Sequence, residues 1–209
     1  MNKPGLKYGA LLLLLAVVVY HSVYFKKLDE VKAKGARTQF DATAYADAFW
    51  KTKLLPATTK ATDLNTLIQA LKTDKDQAFA AHSNAMSIGN IRYFLVKGQG
   101  KITAVRDQDV TVSLTNGPDI IVATEYIFGN AARDASGLIS LTEFTNTMDL
   151  NNVSAEINQI IRKRVVVPFK TSVKTGMEVE FTGAIELNQA HLHTEAIEVI
   201  PISIRSVGT

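Results

Sequence analysis

Eighteen consecutive residues near the start, Tyr8 to Phe25 (YGALLLLLAVVVYHSVYF), are almost wholly apolar. An apolar helix of that length rises roughly 27 Å at 1.5 Å per residue, close to the hydrocarbon thickness of a bilayer. Lipid offers backbone groups no partners, so the run predicts a membrane-inserted helix. Residues 26–39 are polar and charge-dense and read as a linker. From Phe40 to about His82 the apolar period is helical. Phe40-Asp41 reads as a hydrophobic staple and N-cap, followed by Tyr45, Ala48 and Phe49 at helical spacing, and this first helix should stop before Pro56. Asp63 caps a second helix whose stripe is Leu64, Leu67, Ile68 and Leu71, and a short third helix runs from about Lys75 to His82.

From Ile91 the period becomes that of strands. Arg92 to Val105 reads as one long strand bent at Gly98 and Gly100. Val110 to Leu114 and Ile120 to Ala123 follow, with an Asn116-Gly117 hairpin turn between them. After a loop-rich stretch comes a helix capped near Asn152 or Ser154, with Val153, Ile157, Ile160 and Ile161 on one face. Arg162-Lys163-Arg164 complements the dipole at its end, and Pro168 should stop it. Two more strands are expected, Glu178 to Ala184 with a bend at Gly183, and His191 to about Ile204. Three strands, a helix and two strands is the order of an OB-type barrel. The predicted fold is α+β: an N-terminal transmembrane helix (1–25), a linker (26–39), a small helical region (40–90) and a five-stranded OB-like β-barrel with one inserted helix (91–209).

Composition refines the reading of the apolar run. The chain has 46% hydrophobic and 21% charged residues, ordinary for a globular domain, and no cysteine. Without cysteine there is neither thiol chemistry nor a lipid-modified Cys after the apolar run. A cleaved signal would need a small-x-small site directly after the run, where His21-Ser22-Val23-Tyr24-Phe25 offers none. Ala33-Lys34-Gly35 has small residues at the right spacing but lies well beyond the run. An uncleaved, single-pass signal anchor is therefore the preferred reading and a cleaved signal the alternative, with Tyr20, Tyr24 and Phe25 of the anchor at the interfacial level. Its orientation is not fixed by charge. Lys and Arg alone would keep the large domain in the cytoplasm, whereas all charges together leave the flanks about equal. The formal net charge of +3 owes much to these flanks and suits anionic lipid better than nucleic acid. The strand region from Val110 to Ala123 also lacks the aromatics among cations that a single-stranded nucleic acid needs.

Three segments carry candidate chemistry. Gly98-Gln99-Gly100 is followed by a strand pattern, not by the helix N-terminus that a phosphate loop requires, and reads as a barrel kink. His191, His193 and Glu195 alternate and would share one face of a strand, the residue set of a transition-metal site or a metal-dependent hydrolase. Their alternative is surface pairing with Glu178, Glu180 or Glu186, and His82 reads as a solvated helix end. Asn130, Arg133 and Asp134 form the main polar cluster. An Arg beside an Asp in a Gly-containing loop either recognises a carboxylate, phosphate or sugar hydroxyl, or pairs internally and locks an irregular crossover. No nucleophile elbow is present and no cofactor is implied.

Several segments resemble a bacterial family of predicted periplasmic lipoproteins of unknown function. They are FDATAYADAFW (Phe40 to Trp50), VKGQGKITAV (Val96 to Val105), FGNAARDASG (Phe128 to Gly137), EFTN (Glu143 to Asn146) and the helix around Ile157-Asn158. The Gly-Asn-Ala-x-Arg-Asp segment is the most specific. The resemblance implies a periplasmic domain and a place beside sugar-uptake transporters of the ABC type. It carries no activity or site residues. With the missing Cys, it makes the apolar helix a substitute for a lipid anchor. The expected protein is a non-enzymatic binding or accessory module of the bacterial inner membrane, a metal-dependent hydrolase or an envelope scaffold being the alternatives. A reporter enzyme that is active only in the periplasm, fused after Thr209, should be active in cells. A silent reporter beside a working cytoplasmic one would reverse the orientation.

Overall fold

Alternating apolar residues from Ile91 onward form a strand of 15 residues, β1 (Ile91–Val105), in a computed structural model. It describes residues 40–207 and, before them, Tyr8, residues 13–15, Val17, Val18 and Tyr20. Strand β2 (Asp109–Leu114) turns back on β1 and pairs with β3 (Asp119–Ala123) through a hairpin in which Asn116 takes φ 59°, as expected of an Asn-Gly turn. Strand β4 (Glu178–Asn188) runs antiparallel to β1 from Ile91↔Asn188 to Lys101↔Glu178. The last strand, β5 (Glu198–Ser206), is antiparallel to β4 and parallel to β3. The order β1-β2-β3-β5-β4 and back to β1 closes a five-stranded barrel, which removes the free edges of an open sheet. Phe94, Val112, Ile120, Val122, Phe181 and Val199 are among its fully buried residues.

The other edge of β1 is finished by two short stretches. Ser83–Asn84 lies antiparallel beside Tyr93 and Phe94, and Thr62–Asp63 lies parallel beside Val96 and Lys97. Between them run helices that Asp carboxylates cap by accepting backbone N–H bonds. After α1 (Ala42–Phe49), capped by Asp41, come α2 (Leu64–Thr73), capped by Asp63, and α3 (Lys75–His82), capped by Asp74. The α2 stripe Leu64, Leu67, Ile68 and Leu71 joins the barrel core, and Phe79 of α3 meets Phe94 edge to face at 5.2 Å. The described residues from Asp41 onward make one compact unit. Among the described residues no helix is long and apolar enough to cross a membrane. The Tyr8 to Phe25 run and the 26–39 linker lie wholly or largely outside them.

Four sequence expectations are corrected. The first helix does not stop before Pro56: it widens into a π-helical turn (Trp50–Leu54) and continues through Leu55–Ala57. The inserted helix does the same at Pro168, through Arg162–Val166 and then Val167–Lys170. Leu55 N–H reaches back five residues to Trp50 O, Val167 N–H to Arg162 O, and the proline follows one residue later. Proline lacks an N–H and its ring strikes the carbonyl four residues back, so a widened turn lets the helix pass it. That inserted helix, α5 (Thr147–Ile161), starts earlier than its sequence suggests, because Asn146 accepts from Asp149 N–H, whereas Asn152 and Ser154 lie inside it. A four-residue helix, α4 (Ala131–Asp134), precedes it. Finally, β5 begins at Glu198 and not at His191. Asn188 Oδ1 accepts from the N–H groups of Ala190 and His191, a local turn that takes the chain out of the ladder.

The barrel bends where glycine lets backbones meet. A Cβ on Gly100 would lie 2.2 Å from Ser113 O, and one on Gly183 would lie 2.4 Å from Val199 Cγ1 and 2.5 Å from Ile200 O. The pairing register of β4 with β5 shifts at Thr182/Gly183. Gly183→Val should therefore cost about 1–3 kcal/mol, read as a lower urea midpoint. An unchanged midpoint would mean that β4 and β5 part there without loss.

Candidate functional site

The connection from β3 to α5 carries the polar cluster that the sequence singles out. Arg133 and Asp134 are both only 4% exposed. Arg133 donates from Nε to Asp134 Oδ1 (2.5 Å) and from Nη2 to Oδ2 (2.8 Å), a two-pronged pair between neighbours in the chain. Its Nη1 donates to Ser154 Oγ (2.8 Å), and Ser154 Oγ donates to Asn130 Oδ1 (3.2 Å). Asn158 Nδ2 donates to Gly129 O (2.9 Å), and Arg162 Nη1 donates to Ile127 O. Ser154, Asn158 and Arg162 are four residues apart, so one polar stripe running from α5 into the π-turn that continues it grips the loop from 127 to 134. Tyr93 of β1 stands against Asn130 and the charged pair. Burial first, then the charges of Glu186 and Asp134, raises its phenol above the ordinary value.

This geometry agrees with internal pairing, the alternative to ligand binding that the sequence offers for Asn130, Arg133 and Asp134. The half-buried Asn130 accepts from Ser154. The charged groups of Arg133 and Asp134 are buried and spent on each other and on Ser154, because an Arg left unpaired at that depth would lose its hydration without return. The pair acts by position instead. The residues after it, Ala135, Ser136 and Leu138, form one wall of a cleft of about 700 Å³. Asn84 Nδ2 holds that wall by donating to Ala135 O at 2.8 Å. The cleft is also lined by the π-turn and proline segment after α1, with Lys53, Pro56 and Lys60, and by Leu95 of β1. His82, expected as a solvated helix end, is half-buried in this cleft with Nδ1 at 3.4 Å from Thr62 Oγ1.

A second network fixes the rim. Tyr45 Oη donates to Glu143 Oε2 at 2.7 Å, Glu143 Oε1 accepts from Ser140 N–H, and Lys53 Nζ lies 3.7 Å from Glu143. The Tyr45 bond, then the Ser140 N–H, hold the Glu143 carboxyl below its ordinary range, with a smaller part from Lys53. Tyr45 is pushed far up by burial and by that same carboxylate. Phe144 packs edge to face on Tyr45 at 5.2 Å, so the turn Leu141–Glu143 is tied to α1 by a ring and a charge together.

A family described as predicted periplasmic lipoprotein (DUF2291) matches residues 13–205. The chain belongs to this family. The crystal structure of an OB-fold protein from Thermotoga maritima superposes with a TM-score of 0.73 at 24% identity, covering 81% of this chain and 100% of that one. That likeness concerns the fold, and it agrees with the closed barrel. No curated protein matches the chain. The family description supports a periplasmic, membrane-associated location, although this member's sequence has no cysteine to carry a lipid.

The other sequence candidates in this family member are placed differently from expectation. His191, His193 and Glu195 are exposed on the loop between β4 and β5, so the strand alternation that put them on one face is absent. Among the described residues no three His, Cys, Asp or Glu side chains stand close enough to hold a metal. Gly98 and Gly100 lie within β1, as the barrel reading requires. Sequence reasoning missed Ser154, Asn158 and Arg162 as loop-holding residues. Their four-residue spacing beside the apolar stripe was the available signal.

Removing one member of the buried pair isolates its energetics. Asp134→Ala should cost about 3–5 kcal/mol, while the paired change Arg133→Met with Asp134→Leu should recover most of it. Urea unfolding of the two variants beside the unaltered chain checks this. A double variant as unstable as Asp134→Ala would show that the hydrogen bonds from Arg133 to α5 matter more than the charge pairing.

Proposed function

We propose that this protein is a non-enzymatic binding or accessory module of the bacterial envelope, tethered to the inner membrane through residues 8–25 with its barrel in the periplasm. The observation that carries the reading is the cleft of about 700 Å³. Its volume lies within the range of small-molecule sites, and one of its walls is held by a buried ion pair rather than by mobile surface groups. Placement of that wall by buried groups supports recognition over the hydrolase reading, whose His191, His193 and Glu195 are exposed on a loop. The outward positions of β2 and β3 are Asp109, Thr111, Ser113, Asp119 and Ile121. Two carboxylates and no ring argue against a nucleic-acid strand on that face. Family membership supports the periplasmic side, and the family resemblance supports a place beside a sugar ABC transporter.

Crosslinking in native membranes, followed by purification of the full chain, should recover transporter subunits. Deletion of the protein should slow uptake of the sugar concerned. Recovery of other envelope proteins alone would favour a scaffold. No partner and unchanged uptake would overturn the reading.

A further inference from the structure

We infer that the cleft takes a small organic anion, a hydroxylated body bearing a carboxylate or phosphate, with Lys60 as its principal counter-ion and His82 as a second donor. The inference rests on the proposal that this cleft is a binding site, and it names the ligand class.

Charge is the first argument. Lys53, Lys60 and His82 all line the cleft, and no Asp or Glu is among the lining residues. The three are not equivalent. Lys53 is held 3.7 Å from Glu143 on the rim, so its charge is largely answered. Lys60 makes no ion pair or side-chain hydrogen bond with any described residue. It closes the turn Thr58–Lys60 directly before Thr62 joins β1, which sets its backbone against the barrel. A cation without an acid partner, beside low-dielectric walls, attracts an anion more strongly than the same cation in open water.

The remaining lining describes the body of the ligand. Thr62 and Ser136 supply hydroxyls, which accept or donate to a polyol, and Leu95 and Leu138 supply apolar surface for its C–H faces. With His82 Nδ1 against Thr62 Oγ1, Nε2 is the ring atom left to meet a ligand. A volume of about 700 Å³ is generous for inorganic phosphate and suits a molecule of sugar-acid or sugar-phosphate size.

The test uses the full chain in uncharged detergent, titrated calorimetrically with glucose, glucuronate, glucose 6-phosphate and inorganic phosphate. At least one of the two sugar anions should bind tenfold or more tightly than glucose, and more tightly than phosphate alone. Its affinity should fall as salt is raised. Lys60→Glu should weaken the anion at least tenfold, and Lys60→Arg should retain it. Lys60 is exposed, so neither change threatens the fold. Glucose binding as tightly as both anions would overturn the inference yet leave a binding cleft in place. So would a Lys60→Glu chain with unchanged anion affinity. No heat with either sugar anion at millimolar concentration would overturn it too, and crosslinked transporter subunits would then still support the accessory role.

Discussion

One strand hydrogen-bonded on both edges governs this structure. Along one side β1 pairs with β4 from Ile91 to Lys101. Along the other it meets Ser83–Asn84, Thr62–Asp63 and finally β2. Each backbone group left unpaired in a buried sheet would cost free energy comparable to a lost hydrogen bond, so the strand must find partners along its whole length. Closure is one consequence. The docking of α2 and α3 is the other, since the two short stretches that flank them are those that finish the edge of β1.

Closure also forces a long crossover. β3 and β5 are parallel neighbours, and the chain between them must leave the barrel, build α5, and return through β4 before β5 is laid down. Such a connection cannot be a tight turn, and its irregular backbone needs partners of its own. The polar stripe running from α5 into its π-turn provides them, Ser154 to the Arg133–Asp134 pair and Asn130, Asn158 to Gly129 O, and Arg162 to Ile127 O. A buried ion pair is weak evidence of added stability, because desolvation offsets most of the attraction. Its worth here is geometric. It fixes where Ala135, Ser136 and Leu138 stand, and with them one wall of the cleft.

The two π-turns serve the same geometry. Both span five residues and end two residues before a proline, so α1 and α5 each extend past a residue that would ordinarily end them. The first extension carries Lys53, Pro56 and Lys60 to the cleft. Arg164 of the second donates to Asp47 of α1 at 2.7 Å, holding the two extended helices side by side. A helix that obeyed the usual proline rule would have left the cleft without its basic lining.

Local signals in the sequence determined most of the elements. Asp41 and Asp63 cap their helices because a side-chain carboxylate needs only the next turn's N–H groups, and Asn116-Gly117 turns because a left-handed residue needs no distant partner. The strand order followed from period and spacing, and with it the OB-type barrel. Where a residue's partner is remote, the sequence was silent or misleading. Pro56 and Pro168 read as stops, Ser154 as a cap, and His191 to Glu195 as a strand. Only the tertiary structure decided that Ser154 turns to Arg133, that Asn188 diverts the chain before His191, and that the basic residues facing a common space are Lys53, Lys60 and His82. Lys53 and Lys60 come from the extension of α1 and His82 from the end of α3, and it is the edge of β1 that draws these segments together.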